Sequence, residues 1–202
     1  MSHYFETPTT AEKRHEVFAT IWGQDYRFLS AAGVFSATRL DPGTAVLFRE
    51  AAPPLDRTAR FLDLGCGFGP IAVALATECP QARVDAVDVN ERALALTRVN
   101  ALRHEVGDQV HPFFPQTADE GVTYDEIWSN PPIRIGKPAL HELLTTWLNR
   151  LSPTGKATMV VSKNLGADSL QAWLAQKGYP VARIGSAKGF RVLEVSAHSA
   201  QS

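Results

Sequence analysis

Apolar positions follow two different patterns, one before residue 59 and one after it. Two apolar runs at 17–22 and 26–29 flank Gly23-Gln24-Asp25, which predicts a β-hairpin with a three-residue turn. After residue 59, short apolar runs alternate with segments of helical spacing, as they do in parallel α/β folds. The predicted strands cover residues 59–63, 82–88, 109–114, 124–129, 156–162, 181–185 and 190–196, and the predicted helices cover 69–78, 91–104, 138–150 and 167–177.

The connections between these segments predict the sheet. Only Ser186-Ala187-Lys188-Gly189 separates the last two strands. This connection is too short for a helical crossover, so these strands pair antiparallel or lie apart. We therefore predict an α/β, Rossmann-like fold: a mostly parallel seven-stranded sheet with one antiparallel strand and helices on both faces.

The segment before the alternating pattern forms a predicted N-terminal extension. It holds the β-hairpin, a strand or extended loop at 33–36, and a helix at 44–51. Asp41 caps this helix and Pro42 lies in its first turn. We predict that residues 1–54 pack as an extension on a domain that covers residues 55–202.

Composition and charge narrow the class of protein. A length of 202 residues predicts one domain. The net charge of −1 means that the chain lacks the overall positive charge that attracts nucleic acid. Cys66 and Cys79 cannot build a disulfide framework, and the histidines show no metal-ligand spacing, so we expect no metal. The chain shows neither an apolar run of membrane-spanning length nor a signal-peptide core. We therefore expect a cytoplasmic protein without membrane attachment.

The most informative stretch is Arg60-Phe61-Leu62-Asp63-Leu64-Gly65-Cys66-Gly67-Phe68-Gly69-Pro70. An apolar strand leads into glycines at alternate positions, and a helical segment begins at the proline. Glycine lets the backbone turn sharply and lets a ligand lie against the main chain. This unit predicts a binding site for a nucleotide cofactor.

Two acidic residues indicate which cofactor binds. A dinucleotide fingerprint places its third glycine one residue after Gly69, where Pro70 stands here. Asp63 would repel a pyrophosphate but suits an aminoacyl group with an ammonium. Asp88 ends a predicted strand, where its carboxylate can accept both hydroxyls of a ribose. Together they indicate S-adenosylmethionine, and a structural turn with an incidental acid is the alternative.

A second motif, Asn130-Pro131-Pro132-Ile133, follows the strand predicted at 124–129. The prolines fix φ and remove two N–H donors, so the local backbone offers carbonyl acceptors. With the side-chain carbonyl of Asn130, these acceptors suit the two N–H groups of an exocyclic amino group. Such hydrogen bonds would aim the nitrogen lone pair at a methyl group, with positioning as the main catalytic device. The alternative is a plain turn, since Asn-Pro is a common turn pair.

These motifs resemble those of a known class of enzymes. The run Asp63–Gly69 with Asn130-Pro131-Pro132 resembles class I S-adenosylmethionine-dependent methyltransferases that modify amino nitrogens. The fuller run from Ser129 to Lys137, with Gly33-Val34-Phe35-Ser36 and Asp41-Pro42-Gly43-Thr44 upstream, is similar to the RsmC-like ribosomal RNA guanine-N2 methyltransferases. The resemblance covers about residues 16–196.

The resemblance implies a role for individual residues. Asp63 would bind the amino end of the cofactor, Asp88 the ribose, and Val89 would lie beside the adenine. The implied cofactor-binding residues are Phe35, Ser36, Thr44, Asp63, Gly65, Cys66, Gly67, Asp88, Val89 and Asn130. The implied catalytic residues at the target amino group are Asn130, Pro131, Pro132 and Ile133. The implied partner is ribosomal RNA or the small ribosomal subunit.

The sequence departs from the family in three ways. Ile133 stands where relatives usually carry an aromatic residue that stacks on the flipped base, a contact of about 1–3 kcal/mol. The acidic residue expected near the end of the third strand is missing from Phe113-Phe114-Pro115-Gln116-Thr117. Long members of the family also carry an extra N-terminal half that this chain lacks. The substrate can differ accordingly.

Five basic residues are predicted to lie near the carboxyl ends of the strands. They are Arg134, Lys137, Lys163, Lys188 and Arg191. Together they predict a patch that follows RNA phosphates despite the negative net charge.

Several alternatives remain at this point. The same Asn-Pro-Pro motif suits adenine N6 or a protein glutamine as methyl acceptor. An NAD-dependent oxidoreductase and a cofactor-binding module without catalysis are alternatives of other classes.

Overall fold

The structure is a computed structural model that describes residues 14–55 and 57–198. The strands are β1 Arg14–Ile21, β2 Gln24–Ala31, β3 Arg60–Leu64, β4 Arg83–Val87, β5 Val110–Phe113, β6 Tyr124–Ser129, β7 Leu151–Ser162, β8 Val181–Ala187 and β9 Phe190–Ser196. The helices are α1 Pro42–Glu50, α2 Pro70–Glu78, α3 Glu91–Arg103, α4 Lys137–Leu148 and α5 Ala167–Gln176. In this part of the chain no helix is both long and apolar enough to cross a membrane.

Seven strands form one sheet in the order β5-β4-β3-β6-β7-β9-β8. All neighbours pair parallel except β9, which is antiparallel to both β7 and β8. This confirms the predicted sheet with one antiparallel strand. Successive side chains of each strand point to opposite faces of the sheet, so both faces carry apolar residues. Helices cover both of these faces. Phe61 of β3 packs in the core under α1, α2 and α3, whereas Leu62 packs in the core under α4 and α5.

The N-terminal hairpin is present, but its predicted turn is wrong. The turn has two residues, Trp22 and Gly23, with φ of 48° and 84°, and β1 pairs with β2 in register from Arg14 to Ile21. A tryptophan in the left-handed region is uncommon. Tertiary contacts stabilise it here, because its ring lies 5.7 Å edge-on from the ring of Trp128 and its Nε1 donates to the carbonyl of Ala51 at 2.9 Å. The local sequence therefore could not show this turn.

Residues 33–36, predicted as a strand or extended loop, form a loop with turns, in which Ser36 has a φ of 56°. The start of one strand differs from the prediction. Strand β7 begins at Leu151 instead of residue 156, because Leu151 pairs with Tyr124 before a register shift in the β6–β7 ladder. The sequence did not predict this early pairing, because Pro153 and Gly155 are residue types that are typical of turns.

A buried asparagine fastens the hairpin to the sheet domain. Asn100 of α3 has no exposed surface. Its Oδ1 accepts from the N–H of Leu29 at 2.7 Å, and its Nδ2 donates to the carbonyls of Leu29 at 2.8 Å and Phe68 at 2.7 Å. Since Leu29 lies in β2 and Phe68 in the glycine loop, one side chain joins the extension to the candidate site.

We predict that Asn100→Ala destabilises the protein by about 2–4 kcal/mol, because it leaves three buried or partly buried backbone groups without their partner. The measurement is urea unfolding followed by tryptophan fluorescence. Asn164→Ala removes an exposed asparagine and should change the free energy of unfolding by about 0.5 kcal/mol or less. Equal unfolding midpoints for the two variants would contradict the role of Asn100.

Candidate active site

The predicted site residues lie at one edge of the sheet, where the parallel strands β3, β4, β6 and β7 end. The glycine loop follows β3, Asp88 follows β4, Asn130 follows β6 and Lys163 follows β7. The N–H groups of Gly65 and Cys66 donate to the carbonyl of Val87 at 2.9 and 3.0 Å, which joins the first two of these strand ends. Ligands of such sheets bind outside the carboxyl ends of the strands.

The three glycines of the loop serve two different purposes. Gly65, Gly67 and Gly69 have φ of 80°, 57° and 88°, a region that favours glycine. A Cβ on Gly67 would meet nothing within 4 Å, and one on Gly65 would only reach Pro132 at 4.0 Å. A Cβ on Gly69 would lie 2.9 Å from Thr97. The first two glycines therefore border open space that a ligand can enter, whereas the third allows α2 and α3 to pack closely.

The carboxylate of Asp88 accepts a hydrogen bond from the glycine loop and can accept further hydrogen bonds from a ligand. Its Oδ2 accepts from the N–H of Gly67 at 2.9 Å and its Oδ1 from the N–H of Asn90 at 2.9 Å. Because each carboxylate oxygen can accept a second hydrogen bond, the group can still receive two hydroxyls. Burial raises the pKa of Asp88. Next to it Val89 leaves 45% of its surface exposed, as an apolar contact for a flat ring requires.

Asp63 lies beneath the loop and is fully buried. Its Oδ2 accepts from the N–H of Ala72 at 2.9 Å, while its Oδ1 makes no hydrogen bond to the described residues. Burial raises the pKa of Asp63 to about 8, and the negative charge of Asp88 also raises it. A buried acceptor without a partner is costly, so the site fits a ligand with a cationic amino group.

Seven of the residues predicted to bind the cofactor line one pocket with the glycine loop. They are Phe35, Ser36, Thr44, Gly65, Cys66, Gly67 and Asn130. The ring of Phe35 is 58% exposed at this pocket. The other three, Asp63, Asp88 and Val89, lie beneath or beside the loop. The sequence-predicted cofactor residues are therefore brought together, and both the extension and the strand ends contribute to the pocket lining.

The amide of Asn130 has a defined orientation. Its Nδ2 donates to Oδ1 of Asp41 at 2.7 Å and to Oγ1 of Thr44 at 3.0 Å. An ionised carboxylate can only accept, so the nitrogen side of the amide faces α1. Asn130 lines the pocket, and no hydrogen bond to its side-chain carbonyl is made by the described residues. The local sequence predicts Asp41 as a helix cap but does not show its contact with Asn130, which is 89 positions away.

A second cavity of about 130 Å³ lies beside the Asn-Pro-Pro-Ile segment. Its lining includes Ile133, Lys137, Leu165 and Ser169. Leu165 leaves 49% of its surface exposed at this cavity. This cavity adds an apolar surface at the carboxyl ends of the strands.

Four of the five predicted cations lie exposed near this cavity or along the same edge. They are Arg134, Lys137, Lys163 and Lys188. The N–H of Lys163 donates to the carbonyl of Gly189 at 2.8 Å, which joins the β7 end to the β8–β9 turn. Arg191 differs, because its guanidinium pairs with Asp168 at 2.8 and 2.9 Å and its side chain is only 12% exposed. Its charge is already neutralised by a protein partner.

The sheet order and the glycine loop define a class I methyltransferase fold. The chain matches the family described as methyltransferase small domain over residues 25–194, and it belongs to that family. Its cofactor is S-adenosylmethionine, as the sequence indicated, and the residues above fit that molecule. The resemblance to RsmC-like methyltransferases is confirmed for family and fold, and the NAD-dependent oxidoreductase is excluded as an alternative.

Two curated proteins are similar in sequence to this chain. "Uncharacterized protein YbxB" of Bacillus subtilis (strain 168) is 29% identical over 196 residues, which are 95% of this chain and 96% of that protein. "Ribosomal RNA small subunit methyltransferase C" of Psychromonas ingrahamii is 32% identical over 152 residues, 72% of this chain and 42% of that protein. The chain thus spans about two fifths of the length of that relative.

A solved structure shows the same fold. The 16S rRNA N2 methyltransferase RsmC of T. thermophilus, in complex with AdoMet and guanosine, superposes with a TM-score of 0.80 at 22% identity. The match covers 95% of this chain and 52% of that chain. At this identity the likeness shows the fold, and the substrate has to be argued from the site.

Asp63 leads to a prediction about pH. Because its pKa rises from 3.8 to about 8 on folding, the folded protein retains a proton that the unfolded chain releases. The free energy of unfolding should therefore fall as pH increases between these two values and should not fall further above them. Asp63→Asn should flatten this dependence, by up to about 1.4 kcal/mol per pH unit, in urea unfolding of the cofactor-free protein.

The matched control is Asp108→Asn, because Asp108 is exposed. This variant should keep the pH dependence of the parent. If Asp63→Asn and the parent gave parallel curves of stability against pH, the raised pKa of Asp63 would be contradicted.

Proposed function

We propose that the protein is an N-methyltransferase that modifies an exocyclic amino nitrogen, and that its substrate is guanine N2 of ribosomal RNA. The observation that carries this proposal is the orientation of the Asn130 amide, whose nitrogen donates to Asp41 and Thr44, so that its carbonyl is the group left to accept from a substrate. A carbonyl acceptor selects a donor, and an exocyclic –NH₂ presents two N–H groups. A hydroxyl or carbon acceptor of a methyl group would make less use of this arrangement.

Residues of the glycine loop and its neighbours would bind the cofactor. In this assignment Gly65 and Gly67 lie along its methionine part, Asp88 accepts from the ribose hydroxyls, and Val89 contacts the adenine. Asp63 would receive the cationic amino end on its unpaired Oδ1, directly or through water. Binding of a cation there would also favour the ionised carboxylate. Phe35 and Ser36 would cover the cofactor from the extension.

The chemistry needs little from the protein beyond position. S-adenosylmethionine, when bound, supplies an electrophilic methyl group on its sulfonium. Asn130 would accept one N–H of the target through its side-chain carbonyl, and the carbonyl of Pro131 would accept the other. The Pro131 carbonyl already accepts from the N–H of Ile133 at 2.8 Å and keeps a second lone pair. Two such bonds direct the nitrogen lone pair, and no strong base is needed because the methylated nitrogen becomes acidic.

The contacts that bind the target base would differ from those in relatives with an aromatic residue after Asn-Pro-Pro. Ile133 offers an apolar contact without a ring face. The cavity beside it, with Leu165 at its edge, supplies further apolar surface for a nucleobase. We propose that RNA phosphates lie along Arg134, Lys137, Lys163 and Lys188, whose positive charges are exposed at the same edge. Arg191 would then support the structure rather than contact phosphate.

The choice of guanine N2 rests on the relatives. The curated relative in Psychromonas ingrahamii and the T. thermophilus structure are ribosomal RNA methyltransferases by name, and the second acts at an N2 position. Both are longer than this chain, so the RNA and the subunit that it meets are part of the proposal. Adenine N6 and a protein glutamine remain the alternatives, because each presents the same –NH₂ group to Asn130.

Replacement of Asn130 tests the mechanism. Asn130→Ala should slow methyl transfer by about 10²–10³-fold, because an interaction that strengthens in the transition state is lost. Single-turnover transfer at saturating cofactor and RNA measures this step. The affinity for S-adenosylmethionine, measured by calorimetry, should change much less. Transfer at the parental rate would show that Asn130 is only a turn residue.

The salt dependence of RNA binding tests the basic patch. Neutralising Lys137 and Lys163 together should weaken binding of small-subunit ribosomal RNA and lower the slope of log K against log salt by about 1.5–2. Lys177→Gln is the matched control, because Lys177 is exposed at the far end of α5 from this edge. A double variant with the slope of the parent would remove these lysines from the RNA path.

A further inference from the structure

One carboxylate oxygen in the extension makes three hydrogen bonds. Oδ1 of Asp41 accepts from the N–H groups of Gly43 at 2.7 Å and Thr44 at 3.1 Å, which caps α1. The same atom accepts from Nδ2 of Asn130 at 2.7 Å. The start of α1 and the catalytic loop after β6 are therefore joined at a single atom.

Thr44 supplies a second acceptor to the same amide. Its Oγ1 receives Nδ2 of Asn130 at 3.0 Å, and only 4% of the residue is exposed. The two N–H donors of the amide thus have two acceptors on α1 and its cap. If the amide turned over, its carbonyl would face the Asp41 carboxylate and two acceptors would oppose each other. That orientation is disfavoured electrostatically, and more so in a partly buried site.

We propose that Asp41 and Thr44 are positioning residues that keep the Asn130 amide in the one orientation that presents an acceptor to the substrate. Neither residue needs to touch the target group. The proposal rests on the proposed function for its catalytic consequence, but the orientation itself is a property of the protein alone. In this proposal the extension has a second role besides covering the cofactor, because Asp41 and Thr44 orient the residue that contacts the substrate.

The variants have to separate this contact from helix capping. Asp41→Ser keeps a good N-cap, but its side chain is too short to cap α1 and reach Asn130 together. Thr44→Val removes the hydroxyl with little change of shape, and Thr44→Ser restores it. Thermal unfolding of all three variants should stay close to that of the parent, so that a change in the site is not confused with loss of the fold.

The first measurement uses the chain of 202 residues without any substrate. NMR of the ¹⁵N-labelled protein follows exchange of the Nδ2 protons of Asn130 with water, and the signal is assigned by its loss in Asn130→Ala. These protons should exchange more slowly than those of the exposed Asn164. Asp41→Ser and Thr44→Val should each accelerate the exchange, and Thr44→Ser should restore it. Unchanged exchange in Asp41→Ser and Thr44→Val would overturn the positioning role whatever the transfer rate.

The second measurement is a double-mutant cycle on single-turnover methyl transfer. Asp41→Ser should slow transfer by about 10- to 100-fold, as expected for loss of a charge-assisted hydrogen bond. In the Asn130→Ala background the same substitution should have no further effect, because it acts through Asn130. A full additional loss in that background would overturn the proposal in favour of a merely structural role. Faster exchange with parental transfer would instead uphold the orientation and contradict the proposed function.

Discussion

The structure depends on a glycine loop whose backbone is bound by side chains from outside the loop. Asp88 accepts the N–H of Gly67, Asn100 donates to the carbonyl of Phe68, and the end of β4 accepts two further N–H groups. Gly65 and Gly67 can then remain in left-handed conformations beside open space. A loop held in this way is formed before any ligand arrives. Asp88 can be partly buried and Asn100 fully buried beside the loop, because its backbone supplies hydrogen-bond partners to both.

The N-terminal extension is fastened to this loop by polar contacts as well as by packing. Asn100 bonds both strand β2 and the loop, and Asn90 caps α3 while its Nδ2 donates to the carbonyl of Gly33 at 2.9 Å. Asp41 extends these contacts to the loop after β6 through its hydrogen bond with Asn130. The same extension therefore borders the cofactor pocket and contacts the residue proposed to bind the substrate. Its limits at residues 1–54 stay a prediction, and residues 1–13 lie outside the described part of the chain.

Much of this fold could be predicted because its signals are local. The alternation of apolar runs with helical spacing identified the seven strands, and the glycines with Pro70 marked the start of α2. The contacts that could not be predicted join residues far apart in the chain. Asn100 looks like an ordinary polar helix residue, and the ion pair of Arg191 with Asp168 joins two residues that are 23 positions apart. The turn at Trp22 likewise depends on Trp128, more than a hundred residues away.

The most direct test of the account identifies the atom that receives the methyl group. The protein is incubated with labelled S-adenosylmethionine and, in parallel, with purified small ribosomal subunits, ribosomal RNA, DNA and total protein. The products are digested to nucleosides or amino acids and identified by mass spectrometry. We expect label in N2-methylguanosine from the ribosomal samples. Label on a hydroxyl or carbon atom, or no transfer to any sample with an exocyclic amino group, would contradict it.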